Sequence, residues 1–345
     1  MKKRTKASHS LFFPSSTERY RRAILASVAV IGVVPVLTRS PYVLGLLALI
    51  MIYGMLAISI DLLSGYMGLA SLGHASFFGS AAYCAGYLSS RLQMNSFLAM
   101  LLTLLFSVGL AMLFGALTTK VWDTTFMMVN MALCQIIYGM ALKLQSITGG
   151  DNGMTGIQRP TFFGYTLSGT VPFYYFLFAV FGLVLFLVYR LVNSPFGLSI
   201  QGIKQSPKRM SALGFNILQH KYITYVISGT VAGVAGMMYV YYNRFVSPPD
   251  ASTVMASKAF LMSLMGGGGT LVGPIVGAVT VVLLENFVSA FTARWTMVLG
   301  VLYVVTVIFS PKGIIGMIYS RLDRRRARRS DAGETPEKRT AGSPH

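Results

Sequence analysis

Long apolar stretches separated by short polar segments dominate this chain. A helix needs about 20 mostly apolar residues to cross a hydrocarbon core about 30 Å thick, and such stretches recur from Ala23 to Phe309. They lack the strict alternation of membrane strands. Because every backbone polar group in lipid must be bonded internally, the pattern predicts an all-α polytopic membrane protein.

About ten transmembrane or re-entrant helices are predicted by the lengths of the apolar runs. The eighth is too short to cross alone. The predicted bounds are Ala23–Thr38, Val43–Ile60, Tyr66–Leu88, Phe97–Thr119, Thr125–Ile147, Phe173–Val192, Tyr222–Tyr242, Val254–Met265, Gly273–Phe291 and Trp295–Ser310.

The distribution of positive charge favours a topology with both termini inside, because cytoplasmic loops collect lysine and arginine. Most of the 29 lysines and arginines fall in segments that this topology places inside. Few fall in the predicted outer loops, namely Arg39, Arg91, Arg159, Arg244 and Arg294.

Composition indicates one membrane domain with a polar tail at each end, since 54% of the residues are hydrophobic and 11% are charged. The predicted divisions are a basic cytoplasmic tail at 1–22, a membrane domain at 23–317 and a basic disordered tail at 318–345. The net charge of +19 and the run Arg321–Arg329 raise the possibility of nucleic-acid binding. Because the run directly follows the last predicted span and contains no aromatic residues, topology anchoring and contact with anionic lipid are favoured, and no nucleic-acid partner is predicted.

Candidate enzyme chemistry is sparse. Cys84 and Cys134 lie inside apolar runs, so they indicate neither a disulfide framework nor a metal site. The sequence contains no GxxxxGK[ST], HExxH or GxSxG motif, so it offers no site for ATP hydrolysis and little support for a membrane-embedded enzyme. No cofactor is predicted for this chain.

Two glycine-rich stretches interrupt the apolar pattern, GYMGLASLGHASFFG from Gly65 and MGGGGTLVGP from Met265. One interpretation is close helix packing along the small residues Ser71, Ala75 and Gly79. The other is a pair of broken helices beside a solute path, where unwound backbone is tolerated. The candidate path and gating residues are Gly65, Gly68, Ser71, Gly73, His74, Gly266, Gly267, Gly268, Gly269 and Gly273.

Few ionisable residues lie within the predicted spans. His74 has no ligand partner nearby, so a hydrogen-bonded packing role is favoured over a pH-sensitive gate. Asp61, at the inner end of a span, is expected to reach water or to cap the next helix. For Lys258, an ion pair with Glu285 and snorkelling to the outer interface both remain open.

A basic inner loop at 193–221 carries the strongest helix signals. Ile200 and Ile203 are expected to extend the sixth span into the cytosol. Ser206 and Pro207 then match an N-cap and first helical residue, and Gly214 is placed to end a short helix. The short helix needs a partner surface, either lipid headgroups or a cleft in a cytosolic motor.

The outer loop containing TGGDNG lacks the lysine and the hydroxyl residue of a phosphate-binding loop, so it is predicted to be an exposed turn. Its candidate residues are Thr148, Gly149, Gly150, Asn152 and Gly153.

Further motifs along the chain are SPFGLSIQGIKQSPKRMSALGFN from Ser194, ISGTVAGVAGMMY, FVSPPD and MGGGGTLVGPIVGA. Together with the glycine-rich stretch from Gly65 and the TGGDNG loop, they resemble permease subunits of bacterial ABC importers for branched-chain amino acids, the LivM-like group. The resemblance runs from about Ile58 to about Pro311. It implies an inner-membrane permease that works with a homologous second permease, two cytosolic ATP-binding subunits that hold ATP and magnesium, and a periplasmic solute-binding protein.

By position, the resemblance places the ATPase-coupling helix in the inner loop, the path in the glycine-rich segments and the binding-protein contact in the outer loop. The carboxylates usual near Ser206 and Met210 in that family are absent here. The implied coupling residues are Ile203, Lys204, Gln205, Ser206, Pro207, Lys208, Arg209, Ala212, Leu213 and Gly214. An ion-coupled carrier for a small polar solute and an ABC permease for urea or short amides remain as alternatives.

Overall fold

The computed structural model describes residues 40–162, 165–166 and 169–291, together with Met297, Gly300, Val301 and Val304. The predicted span Ala23–Thr38 and both predicted tails lie outside these residues. So does the predicted span Trp295–Ser310, apart from the four isolated positions.

Helices make up most of the described chain, as the apolar pattern predicts. They are α1 Pro41–Asp61, α2 His74–Ser90, α3 Ser96–Thr118, α4 Asp123–Lys143, α5 Gln145–Thr148, α6 Thr170–Val192, α7 Pro195–Gln205, α8 Pro207–Ala212, α9 Ile217–Asn243, α10 Thr253–Gly266 and α11 Gly273–Phe291. A π-helical turn, Leu62–Met67, continues α1, and 3₁₀ turns lie at Gly150–Asn152 and Pro248–Ala251. Among the described residues, one small sheet is formed by two antiparallel strands of two residues each, β1 Thr161–Phe162 and β2 Tyr165–Thr166.

Among the described residues, six helices are long and apolar enough to span a membrane. They are Pro41–Met67, Ser96–Thr118, Asp123–Lys143, Thr170–Val192, Ile217–Asn243 and Gly273–Phe291. Helix α10 is apolar but short, as predicted for the eighth segment. The polytopic helical prediction is therefore confirmed, whereas the count of about ten segments stays a prediction.

Helices α1 and α9 form the centre of the packing. Positions 50–61 of α1 are buried, and α1 packs against α6, α9, α10 and α11. Helix α9 packs against α1, α2 and α3. At Gly236 of α9 an added Cβ would lie 1.9 Å from the carbonyl oxygen of Phe78, so the two backbones are in contact. Helix α3 instead exposes large apolar side chains such as Leu105 and Leu113, which suits a lipid-facing position.

The inner loop differs from its prediction, since α6 does not continue into the cytosol through Ile200 and Ile203. It ends at Val192, and a separate helix begins after Ser194. The Ser194 side chain accepts a hydrogen bond from the Gly197 N–H at 3.2 Å, and Pro195 occupies the first helical position. Proline is favoured there because its missing N–H would be unpaired in any case.

Candidate functional site

The first glycine-rich stretch separates the spanning segment Pro41–Met67 from α2. The π-helical end of α1 stops at Gly68, whose φ of 81° is left-handed, and α2 starts at His74. The Leu69 N–H donates to the Leu63 carbonyl across this end at 2.9 Å. The predicted continuous span Tyr66–Leu88 is therefore wrong, because glycine at 68 adopts a conformation that ends a helix.

The second glycine-rich stretch forms a tight turn between α10 and α11. Gly267 and Gly269 have φ angles of 112° and 82°, which other residues rarely adopt. An added Cβ on Gly266 would lie 1.7 Å from the Gly273 carbonyl oxygen. The chain therefore reverses with its backbone segments in contact.

The two breaks contact each other through Gly65 and Gly269. An added Cβ on Gly65 would lie 2.2 Å from the Gly269 nitrogen, and one on Gly269 would lie 3.1 Å from the Gly65 carbonyl oxygen. Only glycine at position 65 lets the segments approach so closely. The structure thus brings together two stretches that the sequence analysis treated as a possible pair.

Asp61 stabilises the contact between the two glycine breaks. One carboxylate oxygen accepts a hydrogen bond from the Gly269 N–H at 2.8 Å and from the Ser263 hydroxyl at 3.3 Å. The residue is 1% exposed, so the expectation that it reaches water is wrong. Its other carboxylate oxygen has no hydrogen-bond partner within the described part of the chain. A buried carboxylate stabilises a structure when donors are aimed at it, and backbone and hydroxyl donors supply that here.

His74 is a hydrogen-bonded packing residue, as predicted. Its Nε2 lies 2.6 Å from the Ser228 Oγ, and the Ser228 hydroxyl donates to the Ser59 carbonyl at 2.5 Å. Since Ser228 has one proton and gives it to Ser59, His74 Nε2 must be the donor in their bond. The ring is fully buried, and it ties α2 to α1 and α9.

Gly73 and Ser71 lie beside a polar pair that the sequence analysis did not select. An added Cβ on Gly73 would lie 2.9 Å from Asn130 Oδ1, which accepts a hydrogen bond from the Tyr225 hydroxyl at 2.5 Å. Ser71 is buried and accepts from the Gly73 N–H at 3.3 Å. The sequence feature that could have identified this pair is an asparagine and a tyrosine inside apolar helices, where a polar group without a hydrogen-bond partner is energetically costly.

Lys204 connects the inner loop to the first break. This residue lies in the last turn of α7, and its Nζ donates a hydrogen bond to the Gly65 carbonyl. Its aliphatic stem covers Gly68, where an added Cβ would lie 2.9 Å from Lys204 Cγ. Burial lowers the pKa of the Lys204 ammonium, and the charge of Asp61 acts in the opposite direction.

The short helix α8 follows α7 and leaves its surface uncovered. Ser206 caps it by accepting from the Arg209 N–H at 3.4 Å, Pro207 is its first residue, and Gly214 has a left-handed φ of 87° beyond its end. The predicted N-cap, first-position proline and terminating glycine are therefore confirmed. Its six residues include none that are buried, and the adjoining Leu213 is 73% exposed.

The outer loop is more ordered than the exposed turn that was predicted. Gly149, Gly150 and Gly153 have positive φ angles, and Thr148 and Gly150 are buried. The Thr148 hydroxyl donates to the Ala141 carbonyl at 2.7 Å, and Met154 pairs with Val246 as an isolated β-bridge. Asp151 and Asn152 remain exposed at the tip. The loop does not contact the glycine breaks through any hydrogen bond among these described residues.

The Lys258 alternatives are resolved in favour of an ion pair. The Lys258 ammonium donates to the Glu285 carboxylate, joining α10 to α11, and the two side chains are 17% and 22% exposed. The ammonium also lies 4.6 Å from the centre of the Tyr53 ring of α1.

Comparison with known proteins identifies the family. Residues 42–309 match the family described as the permease component of the branched-chain amino acid transport system. The chain is 26% identical over 297 residues to the high-affinity branched-chain amino acid transport system permease protein LivM of Salmonella typhimurium, covering 79% of this chain and 69% of that protein. It is 25% identical to LivM of Escherichia coli, covering 79% and 70%, and 23% identical to LivH of that bacterium, covering 76% and 91%. No solved structure matches the chain significantly. This match spans most of the chain, which therefore belongs to the family of permease components of branched-chain amino acid transport systems.

Proposed function

We propose that this chain is the permease subunit of an ATP-driven importer in the bacterial inner membrane, where it forms part of the translocation path for branched-chain or related amino acids. Its family and its relatives LivM and LivH are components of such amino acid transport systems. The observation that carries the mechanism is the bond from Lys204 to the Gly65 carbonyl, because it joins the inner loop directly to the π-helical end of a spanning segment.

The energy for transport comes from partner subunits. The chain contains no nucleotide-binding GxxxxGK[ST] motif, so two cytosolic ATP-binding subunits are proposed to hold ATP and magnesium. Because the chain is similar to both LivM and LivH, a homologous second permease is the proposed membrane partner. A periplasmic binding protein is proposed to deliver the solute at the outer loop, residues 148–153.

The inner loop is the proposed contact with the ATP-binding subunits. Helix α8 and Leu213 present an uncovered surface, and a helix of this length is not stable without a partner. The coupling residues would be Ile203, Lys204, Gln205, Ser206, Pro207, Lys208, Arg209, Ala212, Leu213 and Gly214. A displacement of α8 would move α7 and its Lys204.

The path is proposed to open and close at the two glycine breaks. Lys204 holds one break at Gly65, and Asp61 joins that break to Gly269 of the other. Motion of α7 would therefore reach both segments together. Gly65, Gly68, Ser71, Gly73, His74, Gly266, Gly267, Gly268, Gly269 and Gly273 are the residues assigned to this gate.

An ion-coupled carrier is the second candidate, and Asp61 is the observation that favours it. A buried carboxylate with one unpaired oxygen in a membrane helix can serve as a proton or cation site. However, the other oxygen is committed to the Gly269 N–H and the Ser263 hydroxyl, which explains the residue as a fastening between helices.

Purification of the tagged protein from its native membrane in mild detergent tests the proposal. We expect a second permease and ATP-binding subunits to co-purify, and uptake into proteoliposomes to require ATP and to persist after ionophores collapse the ion gradients. Uptake by a homo-oligomer that lacks any ATPase and stops with ionophores would overturn the proposal in favour of the carrier.

A further inference from the structure

We propose that the cleft beside the Lys258–Glu285 pair is a transient binding site for the solute, and that it recognises a zwitterion with a small aliphatic side chain. This inference rests on the proposed function for the class of solute. The cleft is lined by residues of α1 and α11, Lys258 of α10 bonds to its Glu285, and it shares no lining residue with the glycine breaks.

The cleft has the size and composition for such a ligand. Its volume is about 320 Å³, at the lower end of the range of about 300–1,000 Å³ for small-molecule sites. Leu49 and Val282 supply an apolar part of its wall. Its polar groups come from Tyr53 of α1 and from one face of α11, namely Glu285, Asn286 and Ser289.

The ion pair supplies one charge of each sign at the cleft. Glu285 lines it directly, and Lys258 bonds to Glu285 and lies over the Tyr53 ring. Ionisable residues within membrane segments are costly, and they commonly mark solute pathways. The two side chains retain 17% and 22% exposure, so the pair is not fully enclosed by the packed helices.

A zwitterion can take the place of the protein's own pair without leaving a charge unpaired. Its carboxylate would bind Lys258 and its ammonium would bind Glu285, while its aliphatic side chain contacts Leu49 and Val282. A solute with a single charge would pair with one partner and leave the other uncompensated, which is unfavourable in a partly buried site. The site therefore selects for both charges on one small molecule.

A polar layer extends from the cleft toward the segment between α9 and α10. Tyr53 packs against Tyr239 with ring centres 6.1 Å apart, and the Tyr239 hydroxyl donates to Asp250 at 2.9 Å. Asp250 precedes α10, on the same side of the molecule as the start of that helix. Burial raises the pKa of Asp250, while its hydrogen bonds and Lys258 act in the opposite direction.

Protection of a cysteine at position 289 tests the site without requiring transport. Ser289 is exposed and lines the cleft, so Ser289→Cys is placed in a background in which Cys84 and Cys134 are replaced by alanine. The complete complex in liposomes is treated with N-ethylmaleimide. We expect L-leucine to slow the labelling several-fold. Isoamylamine and 4-methylpentanoate, which each keep the same side chain and one charge, should slow it far less.

The ion pair is tested by variants added to Ser289→Cys. Lys258→Met should abolish protection by leucine, and the double variant Lys258→Met with Glu285→Gln should do so without leaving an unpaired charge that impairs folding. An unchanged labelling rate without leucine, in both variants, shows that the cleft is intact. A matched cysteine at the exposed position Arg91, just after α2, should be labelled at the same rate with and without leucine.

Several results would overturn the site. Equal labelling with and without leucine would do so, as would equal protection by the singly charged analogues. The paired charges could also bind the zwitterionic headgroup of phosphatidylethanolamine, so labelling that follows that lipid's content and ignores leucine would assign the cleft to lipid. Failure here with ATP-dependent uptake intact leaves the proposed function standing, whereas protection by leucine together with uptake that needs no ATPase partner contradicts the proposed function alone.

Discussion

Single atoms decide how closely the two glycine breaks approach. Gly65 faces the Asp61 carboxylate and the Gly269 nitrogen, with no space for a side chain. Asp61 in turn provides the acceptor for a backbone N–H that would otherwise be unpaired in an apolar environment. The contact between the two breaks depends on the absence of one methyl group and the presence of one carboxylate oxygen.

Gly65→Ala should separate the two breaks and abolish most uptake. The added Cβ would lie 2.1 Å from the nearer Asp61 oxygen, and forcing a methyl into such a contact costs about 1–3 kcal/mol. Gly109→Ala is the matched control, because nothing lies within 4 Å of its added Cβ. Both variants are measured for solute uptake and for their amount in the membrane. Normal uptake by Gly65→Ala would show that the close contact is dispensable.

Gly73→Leu and Gly267→Leu should likewise lose uptake while still inserting into the membrane. An added Cβ at Gly73 meets Asn130, and the φ of 112° at Gly267 strains any other residue. Uptake assays with immunoblots of the membrane fraction measure both effects. Unimpaired uptake in these two variants would count against the gate.

Asp61→Asn should be better tolerated than Asp61→Leu. The asparagine oxygen can still accept from the Gly269 N–H, whereas leucine leaves that donor unpaired at a cost of about 1–3 kcal/mol. The midpoint of thermal unfolding of the purified complex reports the difference. An equal decrease of the unfolding midpoint in both variants would show that the site needs the negative charge and not the hydrogen bond.

At the scale of elements, α7 and α8 join an exposed surface to the helical core. Pro195 and Pro207 start the two helices, each after a serine cap, so the chain turns at defined points. Ile200 and Ile203 hold α7 in the core, while α8 stays exposed. Helix α7 is therefore anchored in the core, whereas α8 packs against it mainly through the partly buried Met210.

Lys204→Met should uncouple the importer without dismantling it. The methionine stem still covers Gly68, but it cannot donate to the Gly65 carbonyl. We expect the assembled complex to hydrolyse ATP with little uptake, measured together in proteoliposomes. Lys208→Met in α8 is the control for loss of a nearby positive charge. Equal uptake in the two variants would contradict the role of the Lys204 bond.

Leu213→Asp should reduce recovery of the ATP-binding subunits while leaving the permease folded. Leu213 is 73% exposed, so a carboxylate there disturbs no packing within this chain. Leu144→Asp makes the same change at a 40% exposed leucine at the end of α4. Affinity purification followed by quantitative mass spectrometry compares them. Full recovery of ATPase from Leu213→Asp would place the coupling surface elsewhere.

For the whole molecule, the distribution of lysine and arginine predicts a topology with both termini inside. With both termini inside, α8 faces the cytosol and the 148–153 loop faces the periplasm. In a chain with alanine at 84 and 134, Ser211→Cys should be labelled by an impermeant thiol reagent only from the cytosolic side, and Asp151→Cys only from outside. Labelling of both from the same side would refute this arrangement.

The sequence by itself determined what is local: which runs are long and apolar enough to span, where Ser206, Pro207 and Gly214 bound a short helix, and where glycines weaken the spans. These properties depend on hydrogen bonding, φ angles and side-chain chemistry within a few residues. The same reasoning failed where two local signals competed, as at Ser194, where a cap and a proline prevailed over helical spacing.

The tertiary structure alone decided which distant groups meet. Asp61 and Gly269 are 208 residues apart in sequence, and Lys204 and Gly65 are 139 apart, so no local pattern links them. Asp61 seemed free to reach water, yet helix packing buried it and supplied its donors. The physical reason is that burial and polar pairing are properties of the packed helices, and each pairing is fixed only when every helix has found its neighbours.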